Sequence, residues 1–442
     1  MRDVILHAFD WRYGDLEKNA ARISELGYGA VLTPPPLYTD EYNDAWWQRY
    51  QPRDYRVIRS YLGRKMDLVR AIEALHDKGL RVYADVVFNH MANEKNRPDP
   101  YNFPGEAVLK RYASLEERQS FQEDLLYGEL QEGLFSCLDF NPRGDISNWG
   151  EQEEVQEKWL GGLPDLDMND WVKSQQRQCL LALHHLGFDG FRVDAMKHMP
   201  VEHLQSVFEL EELNSKFVFG ETLTFNDREE YEFLWPLIRE TDFPCYDFPL
   251  QETLRRVFSP AGSMRELSDP AAYAQALPHE RAVTVSITHD IPNNDGFRGI
   301  LMDPQDEYLS NAYLLGRDGG VPLIYSDNNQ SAAKYPHDRN RWAEAWQRQD
   351  IAAMIRFHNA VHGAGQRPLY EQDGYLVFAR GDRGVVAINK TACWQDVTIW
   401  TWGLRHGSYL CQIHGHRMQL AGEYFTFAIP PRQAQMWLFD EC

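Results

Sequence analysis

Eight short apolar runs recur along the chain, at residues 4–9, 30–34, 81–88, 190–195, 217–222, 245–250, 282–289 and 321–325, with amphipathic stretches between them. A strand that is apolar on both faces must be covered on both faces, which is how parallel strands of α/β folds read. Three intervening stretches, 15–27, 66–79 and 169–187, carry apolar residues at helical spacing and end at a glycine, a common helix stop. Eight strands alternating with helices predict an α/β fold, a (β/α)8 TIM barrel.

One connection breaks the rhythm. Residues 91–165, rich in Pro, Asn, Asp and Glu, separate the third strand from the helix before the fourth and read as an inserted loop domain. From residue 365 the texture changes to alternating strands and turns, as in YLVFARGDRGVVAINK and EYFTFAIPP, which predicts an antiparallel β module. The expected division is a barrel at 1–90 and 166–364, an inserted domain at 91–165, and a C-terminal β domain at 365–442.

Composition excludes several functions. With 45 basic against 66 acidic residues, the net charge of −21 repels phosphate backbones and anionic membranes, so neither nucleic acid nor membrane is an expected partner. No apolar run approaches the ~18–20 residues of a membrane span. The start, MRDVILHAF, carries no signal core, so a cytoplasmic location is expected, a secreted form with its leader removed being the alternative. A monomer is expected. The six cysteines show no CxxC spacing, which argues against a zinc site or disulfide framework, although a bridge between Cys393 and Cys411 stays open. The 13 Trp and 22 Tyr suit flat, amphipathic ligands such as sugars.

In a barrel, chemistry collects at the carboxyl ends of the strands. DVVFNH ends the third strand with Asp85, Asn89 and His90, and GFRVDAMKHM carries Arg192 and Asp194 on the fourth, then Lys197 and His198. FVFGET ends in Glu221, and VSITHD ends in His289 and Asp290. Any one of these alone reads as a cap or a surface charge; together they point to one cleft. Paired carboxylates suit glycoside hydrolysis, in which one attacks as an anion and the other gives up a proton. Arg192 beside Asp194 favours the anion there, while burial and nearby negative charge push Glu221 toward its neutral form.

DVVFNH, GFRVDAMKH, FGET and the HD of SITHD resemble, in order, the four sequence signatures of the α-amylase family, glycoside hydrolase family 13. GLPDLD at 162–167 resembles a fifth, and FDW at 9–11, TPPP at 33–36 and RYQPRDY at 49–55 resemble the family's early segments. The resemblance covers most of the chain. It implies Asp194 as nucleophile, Glu221 as general acid/base and Asp290 as stabiliser of the distorted sugar. Tyr50, His90, Arg192 and His289 would line the subsite of the reacting glucose, with Asp85 a structural neighbour. Lys197 and His198 match a pair on the leaving-group side. Asn89, Asp165 and the backbone carbonyl of His198 match a calcium site, whose oxygen ligands suit a hard cation. Thr288 stands where the family commonly has Asn.

The implied activity is retaining endo-hydrolysis of internal α-1,4-glucosidic bonds in starch, glycogen or maltooligosaccharides. Alternatives are a transglycosylase or a sucrose- or short-oligosaccharide-specific glucosidase, and, from another class, a non-catalytic glycan-binding protein. The last has no use for a nucleophile beside an acid. A Schiff-base role for Lys197 fails on its place beyond the strand end.

Overall fold

The computed structural model describes residues 2–39, 44–93 and 101–441; Cys442 and residues 94–100 of the expected inserted domain lie outside them. The apolar runs form eight strands: β1 Ile5–Ala8, β2 Ala30–Thr33, β3 Arg81–Val86, β4 Gly190–Val193, β5 Phe217–Gly220, β6 Cys245–Tyr246, β7 Ala282–Thr284 and β8 Val321–Ser326. They close into a barrel in the order β1-β8-β7-β6-β5-β4-β3-β2. Except for β8, the strands are shorter than the apolar runs, because the last residues of those runs leave the ladder to form the loops at its carboxyl end. The sixth departs most. Residues 245–250 read as one strand, but Asp247 accepts the Leu250 N–H at 3.0 Å and starts a helix at Phe248. An N-cap with Pro in the first turn outweighs the strand signal of the apolar residues around it.

The helices follow the amphipathic stretches, with α1 at Tyr13–Glu25, α2 at Lys65–His76, α3 at Asp170–Leu186 and α4 at Phe248–Phe258. Asn169 caps α3 through the Val172 N–H, and Gly187 ends it at φ 121°, a conformation that favours glycine.

The chain packs as two compact units, one of residues 8–21 and 31–246, the other of 1–7, 22–30 and 247–442. In the first, residues 101–165 form short helices around a small core of Val108, Tyr112, Phe121 and Leu130, with Tyr38 and Val57. The second includes the C-terminal strands: β9 Gln366–Glu371, β10 Tyr375–Arg380, β11 Gly384–Asn389, β12 Gln395–Trp400, β13 Gly407–Cys411, β14 Arg417–Leu420, β15 Tyr424–Ile429 and β16 Gln433–Phe439. Six make an antiparallel sheet in the order β9-β10-β11-β16-β13-β14, and β12 pairs with β15 as a separate ribbon. Val377, Val385, Val397, Ile399, Ile429 and Trp437 fill the core of this module. Cys393 is exposed and Cys411 buried, both as free thiols. Among the described residues no helix is long and apolar enough to cross a membrane.

Candidate active site

Parallel register brings the charged residues together. Asp85 on β3 is paired with Arg192 on β4, and Val193 with Gly220 on β5. The ladder continues one step further, with the Asp194 N–H donating to Val86 at 2.9 Å and the Glu221 N–H to Val193 at 3.0 Å. Asp194 and Glu221 therefore leave adjacent strands at the same level. Ala195 then adopts a left-handed conformation, φ 48° and ψ 37°, unusual for a residue with a Cβ. It turns the chain sharply into the short helix Met196–His198. Met196 fills the space above Gly220, where an added Cβ would lie 2.2 Å from its Sδ.

The centre of the site is one guanidinium shared by three carboxylates. Arg192 Nη1 donates to both Asp85 oxygens at 2.7 and 2.8 Å and to Asp194 Oδ1 at 2.8 Å. Its Nη2 lies 2.7 Å from Glu221 Oε2. The sequence places Arg192 beside Asp194, and the structure adds a contact with Glu221 that the sequence reading does not foresee. Its guanidinium holds the acid as well.

One cation faces three buried acids, and all three carboxyls are raised above the ordinary range. Burial raises Asp194, against the pull of Arg192. Burial also raises Glu221 and pushes Asp85 up to about 7, and both are raised further by the charge on Asp194. The charge on Asp194 disfavours a second anion beside it, so Glu221 is held toward its protonated form, which suits a proton donor. Burial disfavours the Arg192 charge, but Asp85, Glu221 and Asp194 more than reverse this and fix it as a cation.

Around this centre, the Tyr50 hydroxyl donates to Asp85 Oδ2 at 3.0 Å. His90 Nε2 lies 3.0 Å from the Tyr50 carbonyl, so it carries the proton, and burial lowers the ring to about 4. Past the turn, Lys197 Nζ donates to Glu229 Oε2 at 2.8 Å and lies 5.9 Å from the Trp149 ring and 5.0 Å from that of Phe233. His198 Nδ1 lies 2.9 Å from the Val155 carbonyl, and burial takes its ring down to about 3. Glu229 and Trp149 were not legible in the sequence as part of this surrounding. Neither stands in a strand-end motif, and both meet Lys197 only through the fold.

Asn89 and Asp165 also come together, with Asn89 Nδ2 donating to Asp165 Oδ1 at 3.0 Å and Asn141 Nδ2 to Asp165 Oδ2 at 2.8 Å. Asn89 Oδ1 is buried with no hydrogen-bond partner among the described residues. Burial pushes the Asp165 carboxyl well above the usual range, and Glu157 and Asp167 add negative charge. A buried carboxylate in a negative surrounding beside an orphaned amide oxygen fits a hard cation. Among the described residues there is no group of three or more His, Cys, Asp and Glu side chains placed to hold a metal ion.

The remaining predicted residues follow β7. Asp290 opens the short helix Asp290–Asn293, and His289 Nε2 lies 3.8 Å from Asp290 Oδ1. The His289 ring meets the His7 ring edge-on at 5.6 Å, and its carbonyl accepts from Asn293 Nδ2 at 2.7 Å. These residues belong to the second compact unit, and Asp194, Glu221 and Arg192 to the first.

Comparison with known proteins gives a consistent result. Residues 18–242 match the family described as alpha amylase, catalytic domain. The chain is 46% identical over 397 residues to an alpha-amylase of Aeromonas hydrophila, covering 88% of this chain and 84% of that protein. Among solved structures it resembles alpha-amylase I of Eisenia fetida, crystallised as a variant with maltohexaose (TM-score 0.79, 21% identity, 98% and 97% coverage). It also resembles CldA, a cyclomaltodextrin glucanotransferase (TM-score 0.73, 20% identity, 99% of each chain).

Proposed function

Because the chain belongs to the α-amylase family and is a glycoside hydrolase acting on α-glucans, we propose that it cuts internal α-1,4 bonds of starch, glycogen or maltooligosaccharides with retention of configuration. The observation that carries this reading is the single guanidinium of Arg192 in contact with both Asp194 and Glu221.

Asp194 attacks the anomeric carbon as an anion, and the bond to the leaving oxygen breaks as Glu221 gives that oxygen its proton. The sugar is then an ester of Asp194. Glu221, now ionised, takes a proton from water, the water oxygen attacks the anomeric carbon, and Asp194 leaves. Arg192 balances the negative charge as it passes between the two carboxylates. By resemblance to the family's signatures, Asp290 would take the role of stabilising the positive charge on the distorted sugar ring, and Tyr50, His90 and His289 those of sugar-binding residues. On the leaving side, Lys197 keeps donors beyond the one given to Glu229, and His198 stands beside it.

Calcium, held by Asn89, Asp165 and the His198 carbonyl, would neutralise the buried Asp165 and tie the end of residues 91–165 to the end of β3 and the turn after β4. Its role there is structural.

The test is to follow products from maltoheptaose, maltotriose, sucrose and soluble starch. Early products should be α-anomers by NMR, and starch should lose iodine colour at low reducing-end yield. The two carboxyl groups should stand ~5–5.5 Å apart, the spacing of retaining enzymes. Initial β-anomers sink the mechanism. Preference for sucrose, or dominance of transfer products at low substrate, moves the reading to the glucosidase or transglycosylase alternative.

A further inference from the structure

The ribbon of β12 and β15 has one buried face and one open face. Val397 and Ile399 point into the module's core, so Asp396, Thr398 and Trp400 point out. Register sets Trp400 opposite Tyr424, Thr398 opposite Thr426 and Asp396 opposite Ala428. The open face thus carries an aromatic pair, then a hydroxyl pair, then a carboxylate beside a methyl group.

The aromatic end is extended by Trp402, whose ring stacks on Trp400 with centroids 5.5 Å apart and planes at 17°. Trp400, Trp402 and Tyr424 are 46%, 62% and 63% exposed. Arg367 fixes the step by donating from Nη2 to the Trp402 carbonyl while its guanidinium lies 5.5 Å from the Trp402 ring. Trp394, 65% exposed, precedes the other end of β12. Core packing explains none of these rings, and leaving them in water is unfavourable.

We propose that this face is a second, non-catalytic binding surface for α-glucan chains. Trp400, Trp402 and Tyr424 stack on the apolar faces of sugar rings, and Thr398, Thr426 and Asp396 bond their hydroxyls. A glucan is favoured over a protein partner because the face sets an aromatic row beside a hydroxyl row and a carboxylate. Each pyranose likewise offers an apolar face rimmed by hydroxyls. A dry protein interface would leave the hydroxyl pair, joined at 2.8 Å through Oγ1 atoms, and Asp396 in an apolar contact. The choice of α-linked chains rests on the glucan-cleaving function proposed above.

The test uses the full chain carrying Glu221→Gln, so that granules are not digested, with and without Trp400→Ala and Trp402→Ala together. Adsorption to starch granules is compared with adsorption to cellulose. The apparent Kd for granules should rise at least about tenfold on removing the two rings, the effect of losing an aromatic anchor. In the active background, the same pair of changes should leave kcat/KM on maltoheptaose and the Tm unchanged, while slowing attack on granules. Unchanged adsorption, equal binding to cellulose, or a dimer that dissociates on removing the rings overturns the proposal. Granule binding is read separately from maltoheptaose cleavage, so the surface and the catalytic reading fail independently.

Discussion

The roles proposed for Asp194 and Glu221 differ although both touch the same guanidinium and burial raises both carboxyls. Asp194→Asn and Glu221→Gln should each lower kcat by at least ~10²–10⁴-fold, the scale of losing a nucleophile or a proton donor. Thermal melts should show both variants folded, and retention of a tenth of parent turnover would refute the roles. The sequence made Arg192 and Asp194 legible because they are two residues apart on one strand. The second contact of Arg192, to Glu221, was not legible because it crosses from β4 to β5. A buried residue outside the site gives a separate test. Burial, helped by Lys173 and Arg177, holds His203 down to about 3, against an ordinary value of about 6.5. Between those values the folded chain binds fewer protons than the unfolded one, so stability is full above the window and falls as pH drops through it. The slope is up to about 1.4 kcal/mol per pH unit for this group. His203→Gln should flatten the decline of Tm between about pH 6.5 and 3 relative to the parent; an unchanged slope would show that His203 does not carry it.

At the scale of elements, the turn after β4 depends on what β5 leaves room for. Met196 occupies the space that a side chain on Gly220 would need. Gly220→Ala should therefore displace the Met196–His198 helix, costing about 1–3 kcal/mol as overpacking does. It should also raise KM for maltoheptaose more than for maltotriose, because Lys197 and His198 ride on that helix. Adding Met196→Ala should recover part of the Tm; failure to recover any would place the strain elsewhere. The eight strand positions were legible because strands covered on both faces need continuous apolar runs. The sixth was overread because an apolar run alone does not distinguish a strand from the first turn of a helix. There Asp247 and Pro249 were the signal that should have ended the strand.

At the scale of the whole molecule, the sites join segments far apart in sequence, and this is where reading from sequence loses reach. Asn89 and Asp165 were legible as a metal pair only through resemblance to a family, whereas Asn141 emerged from the fold. If these residues hold calcium, excess chelator should lower the Tm, since an ion bound only to the folded state stabilises it by mass action. Asn89→Ala should abolish the difference between treated and untreated protein. An equal shift in both would show that calcium acts elsewhere. The second compact unit is itself built from both ends of the chain. The Tyr28 hydroxyl donates to the Trp346 carbonyl across 318 residues, and His358 meets Asp3 across 355. Contacts of such separation close late, after loop entropy has been overcome, and slow folding. On a ribosome, the opening residues must wait for Trp346 and His358, well past the middle of the 442-residue chain, to be made before these partners exist.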